Sequence, residues 1–314
     1  MTFAEVIAQW RSGAAYIPAR TSGSTGTPSE IRLPRGLVER SARRTIARFG
    51  ITADSQLHSC IAPDYIGGKM TAIRAEVAGC RFSFETPSNR PLQAFTPSDA
   101  LDMVSLVPSQ MRYVLDHRDV MPMVKTYLSG GSAIPEAIRR DIAASGLNVY
   151  ESYGMTETAS HIAVRRVGVP QEDFRPLPGV SLSADDRDCL VIDLGADGRI
   201  VTNDMVDFAA DGAFRILGRA DHVIVTGGKK VHPADVERRL SPLFGDRSIC
   251  VTSRPDDFWG QRVVLLVEGE EHIPQPVIVK MKKLLEKHEQ PKEIITVKQL
   301  LRTENGKIIR KPLG

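Results

Sequence analysis

The 314 residues are 42% hydrophobic and 25% charged, ordinary for a globular protein and enough for two domains. The 41 basic and 38 acidic side chains leave a net charge of +3, too balanced to argue for a nucleic acid or a membrane surface as partner. No apolar run approaches the ~18 residues of a membrane span. Cys60, Cys80, Cys189 and Cys250 lie far apart with no CxxC pair, and residues 1–10 lack a signal-peptide pattern. The expectation is a reduced, cytoplasmic protein.

Residues 1–10 read as a short helix, and 15–17 as a short strand leading into Thr21-Ser22-Gly23-Ser24-Thr25-Gly26-Thr27-Pro28. Small residues at this density let backbone N–H groups approach a ligand closely, and the hydroxyls add donors. That combination suits a phosphate chain. No Gly-Lys-Ser/Thr follows at Walker A spacing, and a flexible linker has the same composition. Helices are expected at 37–49, with a basic outer face, and at 70–78, ended by Gly79. Strands are expected at 57–62 and 81–84. The apolar run 103–107 predicts a strand, after which Pro108 opens a helix to 115. Then come a strand at 124–128, a turn at Gly130-Gly131-Ser132, a helix from Pro135 to about 144 and a short strand at 148–150. Strands alternating with helices predict an α/β domain with a largely parallel sheet.

Tyr153-Gly154-Met155-Thr156-Glu157 follows that last strand. Loops at the carboxyl ends of strands in open α/β sheets are where ligands bind. Glu157 suits a divalent cation that bridges substrate phosphates, Thr156 suits a phosphate, and Tyr153 suits a base. A helix N-terminus capped by Thr156 or Glu157 is the alternative. Beyond residue 175, strand-like segments at 190–194, 199–202 and 214–217 predict a small antiparallel subdomain. It holds Thr202-Asn203-Asp204 and Gly218-Arg219-Ala220-Asp221. Asp204 suits a ribose or is a turn residue. From 223 onward, strands at 223–226, 247–253, 263–268 and 294–297 accompany helices at 233–240 and 277–288. This is the pattern of a separate α+β domain of roughly 90 residues. It contains Gly227-Gly228-Lys229-Lys230, which also reads as a basic turn. It ends with Arg302-Thr303-Glu304-Asn305-Gly306-Lys307, where Asn-Gly normally marks a tight turn.

These five motifs, in this order, resemble the adenylate-forming superfamily of acyl-CoA synthetases, adenylation domains and luciferases, over nearly the whole chain. The resemblance implies a truncated large domain at 1–220 and a small mobile α+β lid at 221–314. It implies an acid–CoA ligase that uses ATP, Mg²⁺ and coenzyme A: a carboxylate attacks the α-phosphate, pyrophosphate leaves, and a thiol then displaces AMP. Thr21, Ser22, Gly23, Ser24, Thr25, Gly26 and Thr27 would hold the β- and γ-phosphates. Gly130, Gly131 and Ser132 would line the adenine pocket and Tyr153, beside Gly154, would stack on the base. Thr156 would touch the α-phosphate and Glu157 hold Mg²⁺. Asp204 would bind the ribose, with Arg219 beside it. Asp221 falls at the hinge, Gly227-Gly228 in the loop that enters for thioester formation, and Lys307 at the lysine bridging acyl carboxylate and α-phosphate. Partners are small molecules, with no nucleic acid.

Two departures stand out. The family loop usually continues Pro-Lys-Gly, whereas here Pro28-Ser29-Glu30 lacks the lysine, leaving Arg32 or Arg35 to compensate. The loop also begins at Thr21, so much of an N-terminal subdomain is expected to be missing. The surface it covers elsewhere must be repacked, capped differently or buried in a homo-oligomer.

The segment 63–70 falls where the family places its acyl pocket, and Arg74 lies about one turn beyond it. Lys69 and Arg74 are unusual charges for a pocket meant for a fatty chain. Either suits a second carboxylate, Arg in bidentate fashion, and solvent exposure is the alternative. The compact architecture, Gly67-Gly68-Lys69-Met70 and the run from Tyr153 to His161 resemble the o-succinylbenzoate–CoA ligase family of menaquinone biosynthesis. That implies a dicarboxylate anchored by Arg74 first and Lys69 second, with Ser160 and His161 near its aromatic part. A CoA ligase for another aryl or short-chain acid, a stand-alone adenylation domain and a non-catalytic acyl-adenylate- or AMP-binding protein are the other readings.

Overall fold

The computed structural model describes residues 1–21, 29–170, 172–302 and 308–314. Contacts divide the chain into two units. The first comprises Met1–Ser181, Asp193–Arg199 and Ala210–Ala213, and the second Leu182–Ile192, Ile200–Ala209 and Phe214–Gly314. This division groups most of the 182–219 region with the C-terminal residues. The expected boundary at 221 concerns motion and is a proposal.

The first unit opens with helix α1 (Phe3–Arg11). Its start is set by a capping box, in which Thr2 and Glu5 exchange side-chain-to-backbone bonds. Strands β1 (Tyr16–Arg20) and β2 (Glu30–Pro34) form an antiparallel hairpin, pairing Tyr16 with Pro34 through to Arg20 with Glu30. Helix α2 (Arg35–Phe49) follows and stops at Gly50, whose φ of 63° is the left-handed conformation glycine takes at no steric cost. Next come β3 (Gln56–Ser59), α3 (Ile66–Ala78), β4 (Arg81–Phe84), β5 (Ala100–Leu101), β6 (Met103–Leu106), α4 (Pro108–Asp116), β7 (Met123–Val124), β8 (Tyr127–Ser129) and α5 (Glu136–Ser145). The unit's sheet is completed by β9 (Val149–Met155), β10 (Ser160–Arg166) and β11 (Arg175–Pro176). The strand order is β11-β10-β9-β8-β6-β3-β4. The five strands from β9 to β4 are parallel, and β10 and β11 extend them antiparallel. This is the expected α/β layout. Helix α2 packs on α3, and α4 on α5. Val104, Leu106, Met111, Val114, Ile142 and Val149 form a core between the sheet and the latter pair.

Strands β12 (Ser181–Ala184), β13 (Cys189–Asp193), β14 (Arg199–Phe208) and β15 (Phe214–Arg219) make a four-stranded sheet in that order. The second unit continues with β16 (Ile224–Thr226), β17 (Lys229–Val231), α6 (Pro233–Leu240), β18 (Ile249–Asp256), β19 (Gly260–Glu268), α7 (Gln275–Leu284) and β20 (Glu293–Val297). The last five strands form one mixed sheet with β19 central. Val236, Leu240, Val251, Val263, Leu265 and Met281 are buried between it and the two helices. Helix α7 is shorter than expected. Leu285 is extended (ψ 141°) and buried, so it packs as part of the following connection.

A candidate nucleotide and acid site

The hairpin carries the first motif on its stem. Thr21 N–H donates to the Ser29 carbonyl (2.9 Å), and Thr21 Oγ1 accepts from Ser29 N–H (3.0 Å). Ser22, Gly23, Ser24, Thr25, Gly26 and Thr27 lie outside the described residues, as does Lys307. The basic neighbour of Glu30 is Arg20 (3.9 Å). Arg32 and Arg35 are engaged elsewhere: Arg32 lies over the Tyr16 ring and Arg35 over Trp10, where it also donates to the Trp10 carbonyl (2.8 Å).

The Tyr153–Glu157 motif is not a loop after a short strand. Strand β9 runs to Met155, so Tyr153 and Gly154 sit in the sheet, paired with β10. Only Thr156–Thr158 turn, in a 3₁₀ segment. Gly154 is required by closeness: a Cβ there would stand 2.3 Å from the Ser160 carbonyl oxygen and 2.4 Å from His161 Cα. The Thr158 hydroxyl closes the turn, accepting from Met155 N–H (3.0 Å), and Ala159 and Ser160 take φ of 51° and 92°. Thr156 Oγ1 donates to the Arg20 carbonyl (3.2 Å). The second motif is thereby tied to the stem of the first. Glu157 is exposed, a hard oxygen donor one residue from that tie. The Tyr153 ring packs 5.9 Å from Phe174. Gly130, past the end of β8, abuts β9, since a Cβ on it would stand 2.7 Å from Ser152 Oγ. Gly131 (φ 90°) and Ser132 continue that turn.

Neither cation on α3 faces solvent. Lys69 and Arg74 are 3% and 1% exposed. Gly68 lets the 61–62 backbone close on α3, because a Cβ there would stand 2.3 Å from the Ala62 carbonyl oxygen. Lys69 Nζ donates to the Pro18 carbonyl on β1, and burial lowers its pKa against a weaker opposing pull from Asp64. Arg74 Nη2 contacts Ser160 Oγ (3.1 Å) and His161 Nδ1 (3.3 Å), while its buried Nε has no partner. Burial pushes the Arg74 guanidinium down to about 9. Burial, then the charge of Arg74, holds His161 well below its ordinary value, so it is neutral. His161 Nε2 meets Thr45 Oγ1 (3.1 Å), and Ser41 Oγ donates to the Ala159 carbonyl (2.7 Å). Ser41 and Thr45 were not singled out in the sequence. Their signal is an i, i+4 hydroxyl pair on the apolar face of α2.

In the second unit Asp204 lies within β14, not in a turn, and its register partner is Arg219 on β15. Arg219 stands 3.6 Å from Asp204 and is bidentate to Asp221 (2.9 and 2.7 Å). Bonding to Arg219 keeps Asp221 below the usual carboxylate range, against burial. Gly227 (φ 55°) and Gly228 (φ 75°) form the β16–β17 turn. A Cβ on Gly227 would stand 2.6 Å from the Trp259 ring, an aromatic partner absent from the motif itself.

Two family models match: AMP-binding enzyme over residues 11–202, and AMP-binding enzyme C-terminal domain over residues 237–307. A 2-succinylbenzoate–CoA ligase from Listeria monocytogenes is 25% identical, covering 97% of this chain and 70% of that protein. One from Lactococcus lactis is 28% identical, covering 69% of this chain and 52% of that protein. A solved acyl-CoA synthetase (AMP-forming)/AMP-acid ligase II-like protein from Dyadobacter fermentans superposes with a TM-score of 0.66 at 28% identity, covering 98% and 91% of the two chains. The o-succinylbenzoate coenzyme A synthetase of Bacillus subtilis, in complex with ATP and magnesium, gives 0.78 at 20% identity, covering 93% and 68%. No described helix is long and apolar enough to cross a membrane.

Proposed function

This chain belongs to the AMP-binding enzyme family and is an ATP-dependent, AMP-forming acid–thiol ligase; we propose that the acid it activates is o-succinylbenzoate. The observation that carries this reading is Arg74, a cation of α3 buried against Ser160 and His161 at the start of β10, with no carboxylate contact among the described residues. A dicarboxylate supplies the missing charge. One carboxylate pairs with Arg74, and the other is left to react. The names of the ligases from Listeria and Lactococcus point the same way.

In this proposal the reacting carboxylate oxygen attacks the α-phosphorus of ATP, and pyrophosphate leaves. The CoA thiol then attacks the acyl carbon, and AMP leaves. The loop from Thr21 holds the β- and γ-phosphates and Thr156 the α-phosphate, a role its tie to the loop stem suits. Glu157, exposed beside that tie, fits a Mg²⁺ site. Mg²⁺ there neutralises phosphate charge when bound. Gly130, Gly131 and Ser132 flank the adenine on which Tyr153 stacks. Asp204 takes the ribose hydroxyls, with Arg219 ordering it. Lys307 bridges the two anions, where a fixed charge in a dehydrated site acts more strongly than in water. Asp221 is the hinge about which residues 221–314 turn between half-reactions, bringing Gly227-Gly228 to the site.

The test is thioester formation from o-succinylbenzoate, ATP, Mg²⁺ and CoA, beside a panel of aryl and short-chain acids. The expected result is preference for o-succinylbenzoate. Preference for a monocarboxylic acid sinks the substrate assignment and leaves the ligase class standing. Adenylate formation without transfer to free CoA favours a carrier-protein partner instead.

A further inference from the structure

Among the described residues, one group of side chains has the make-up of a metal site, and it shares no residue with the network around Arg74. It lies at the carboxyl ends of β3 and of its parallel neighbour β4. His58 is the third residue of β3, Cys60 follows that strand, and Glu85 follows β4. The ligating atoms of His58, Cys60 and Glu85 all lie within 4.8 Å of one another. His58 and Cys60 are 1% and 0% exposed, while the Glu85 side chain is 18% exposed and opens the cluster to solvent.

The imidazole turns one nitrogen to a support and the other into the cluster. Its Nδ1 is engaged by Ser83 Oγ at 2.9 Å, and the Phe95 ring stands edge-on at 4.9 Å. Its Nε2 faces the cluster, 3.7 Å from Glu85 Oε2, and is buried without a hydrogen-bond partner. A buried ring nitrogen left unpaired costs about 1–3 kcal/mol. The supporting shell is complete. Glu85 accepts the Leu92 N–H (3.0 and 3.2 Å), Cys60 N–H donates to the Ser105 carbonyl (2.9 Å), and the Cys60 carbonyl accepts from Gln110 (2.9 Å). Metal-bound histidines ordinarily have their second ring nitrogen held in this way.

We propose that His58 Nε2, Cys60 Sγ and the Glu85 carboxylate bind one Zn²⁺ ion, with a fourth position open to water on the Glu85 side. Imidazole, thiolate and carboxylate are the ligands zinc takes at about 2.0–2.3 Å. A tetrahedral ion holds such atoms roughly 3.3–3.8 Å apart, so the side chains close by about 1 Å. Binding releases the Cys60 thiol proton to solvent. Thiolate, carboxylate and Zn²⁺ then sum to zero charge, which suits a buried position. The ion braces the connection from β3 to α3, the helix that carries Lys69 and Arg74.

The experiment is titration of the full chain, stripped with a chelator, with Co²⁺ alone. The expected result is one equivalent bound, with a thiolate-to-cobalt charge-transfer band and tetrahedral d–d bands, both bleached by Zn²⁺. Cys60→Ser should abolish the charge-transfer band, and a C80A/C189A/C250A variant should keep it. Glu85→Gln, at the solvent side of the cluster, should weaken Co²⁺ binding about tenfold or more and reduce the thermal protection given by Zn²⁺. No charge-transfer band in the unaltered chain, a band that survives C60S, or one that vanishes in the triple variant overturns the proposal. If C60S does not fold, the E85Q affinity and the triple variant decide it.

Discussion

Replacing Arg74 by methionine separates what the residue does for folding from what it does for substrate. Burial pushes the guanidinium from its ordinary value down to about 9. At 1.36 kcal/mol per pH unit, that drop corresponds to roughly 5 kcal/mol of lost solvation. The contacts to Ser160 and His161 return roughly 1.5–3 kcal/mol each, as hydrogen bonds to a charged group do. These terms nearly cancel. A methionine of similar length, which neither needs the solvation nor makes the bonds, should therefore shift unfolding free energy by less than about 2 kcal/mol. Breaking a buried ion pair, by contrast, costs ~3–5 kcal/mol. For the second carboxylate of o-succinylbenzoate the lost charge-assisted contact is worth ~1.5–3 kcal/mol, or roughly 10–150-fold in KM. A monocarboxylic acid should lose nothing. Denaturant unfolding and thioester kinetics with both acids read the two effects separately. An unchanged KM for o-succinylbenzoate refutes the anchor, and a stability loss above about 3 kcal/mol refutes the cancellation.

Lys307→Ala should lower ATP–pyrophosphate exchange by ~10²–10³-fold, the ~3–4 kcal/mol typical of one preorganised donor, while CoA transfer from preformed acyl-adenylate persists. Normal exchange by that variant removes Lys307 from the mechanism. His161 supplies a pH dependence. In the unfolded chain it takes up a proton as pH falls through about 6.5, whereas burial and Arg74 keep it neutral in the fold. The unfolded state then binds more protons, so stability falls with pH below that point, by up to ~1.4 kcal/mol per pH unit for one group. His161→Gln should flatten the profile, and an unaltered slope in urea melts between pH 5 and 7 counts against it. Gly154→Ala should cost ~1–3 kcal/mol by overpacking against β10, given the 2.3 Å approach to Ser160; a melting temperature equal to that of the unsubstituted chain contradicts it.

The parallel sheet was legible because strand-like segments alternate with helical periods, and β3, β6 and β8 overlap the segments expected at 57–62, 103–107 and 124–128. Tyr153 and Gly154 read as loop because Tyr-Gly-Met breaks the strand pattern. What makes them strand is the partner β10, whose pairing no local window contains. Strand β2 escaped for a similar reason, since Glu30, Arg32 and Pro34 are poor strand formers held by register with β1. Asp204 belongs to a strand that continues only because β15 lies beside it. For Arg74 the helix was readable but its burial was not. The hydroxyls of Ser41 and Thr45 that build its surroundings come from α2, so the site is a tertiary fact.

The outward carbonyls of β1 give the hairpin one further property. Pro18 receives Lys69 from α3, and Arg20 receives Thr156 from the turn after β9. One short strand is thus a shared lever. If the proposed sites hold, a nucleotide that shifts the stem would also shift α3, and an acid that settles against α3 would shift the stem in return. Linkage makes such an effect symmetric: whatever factor bound ATP applies to the dissociation constant of the acid, the acid must apply to that of ATP. Cutting either tie, with Lys69→Met or Thr156→Val, should leave two ligands that bind with less knowledge of each other.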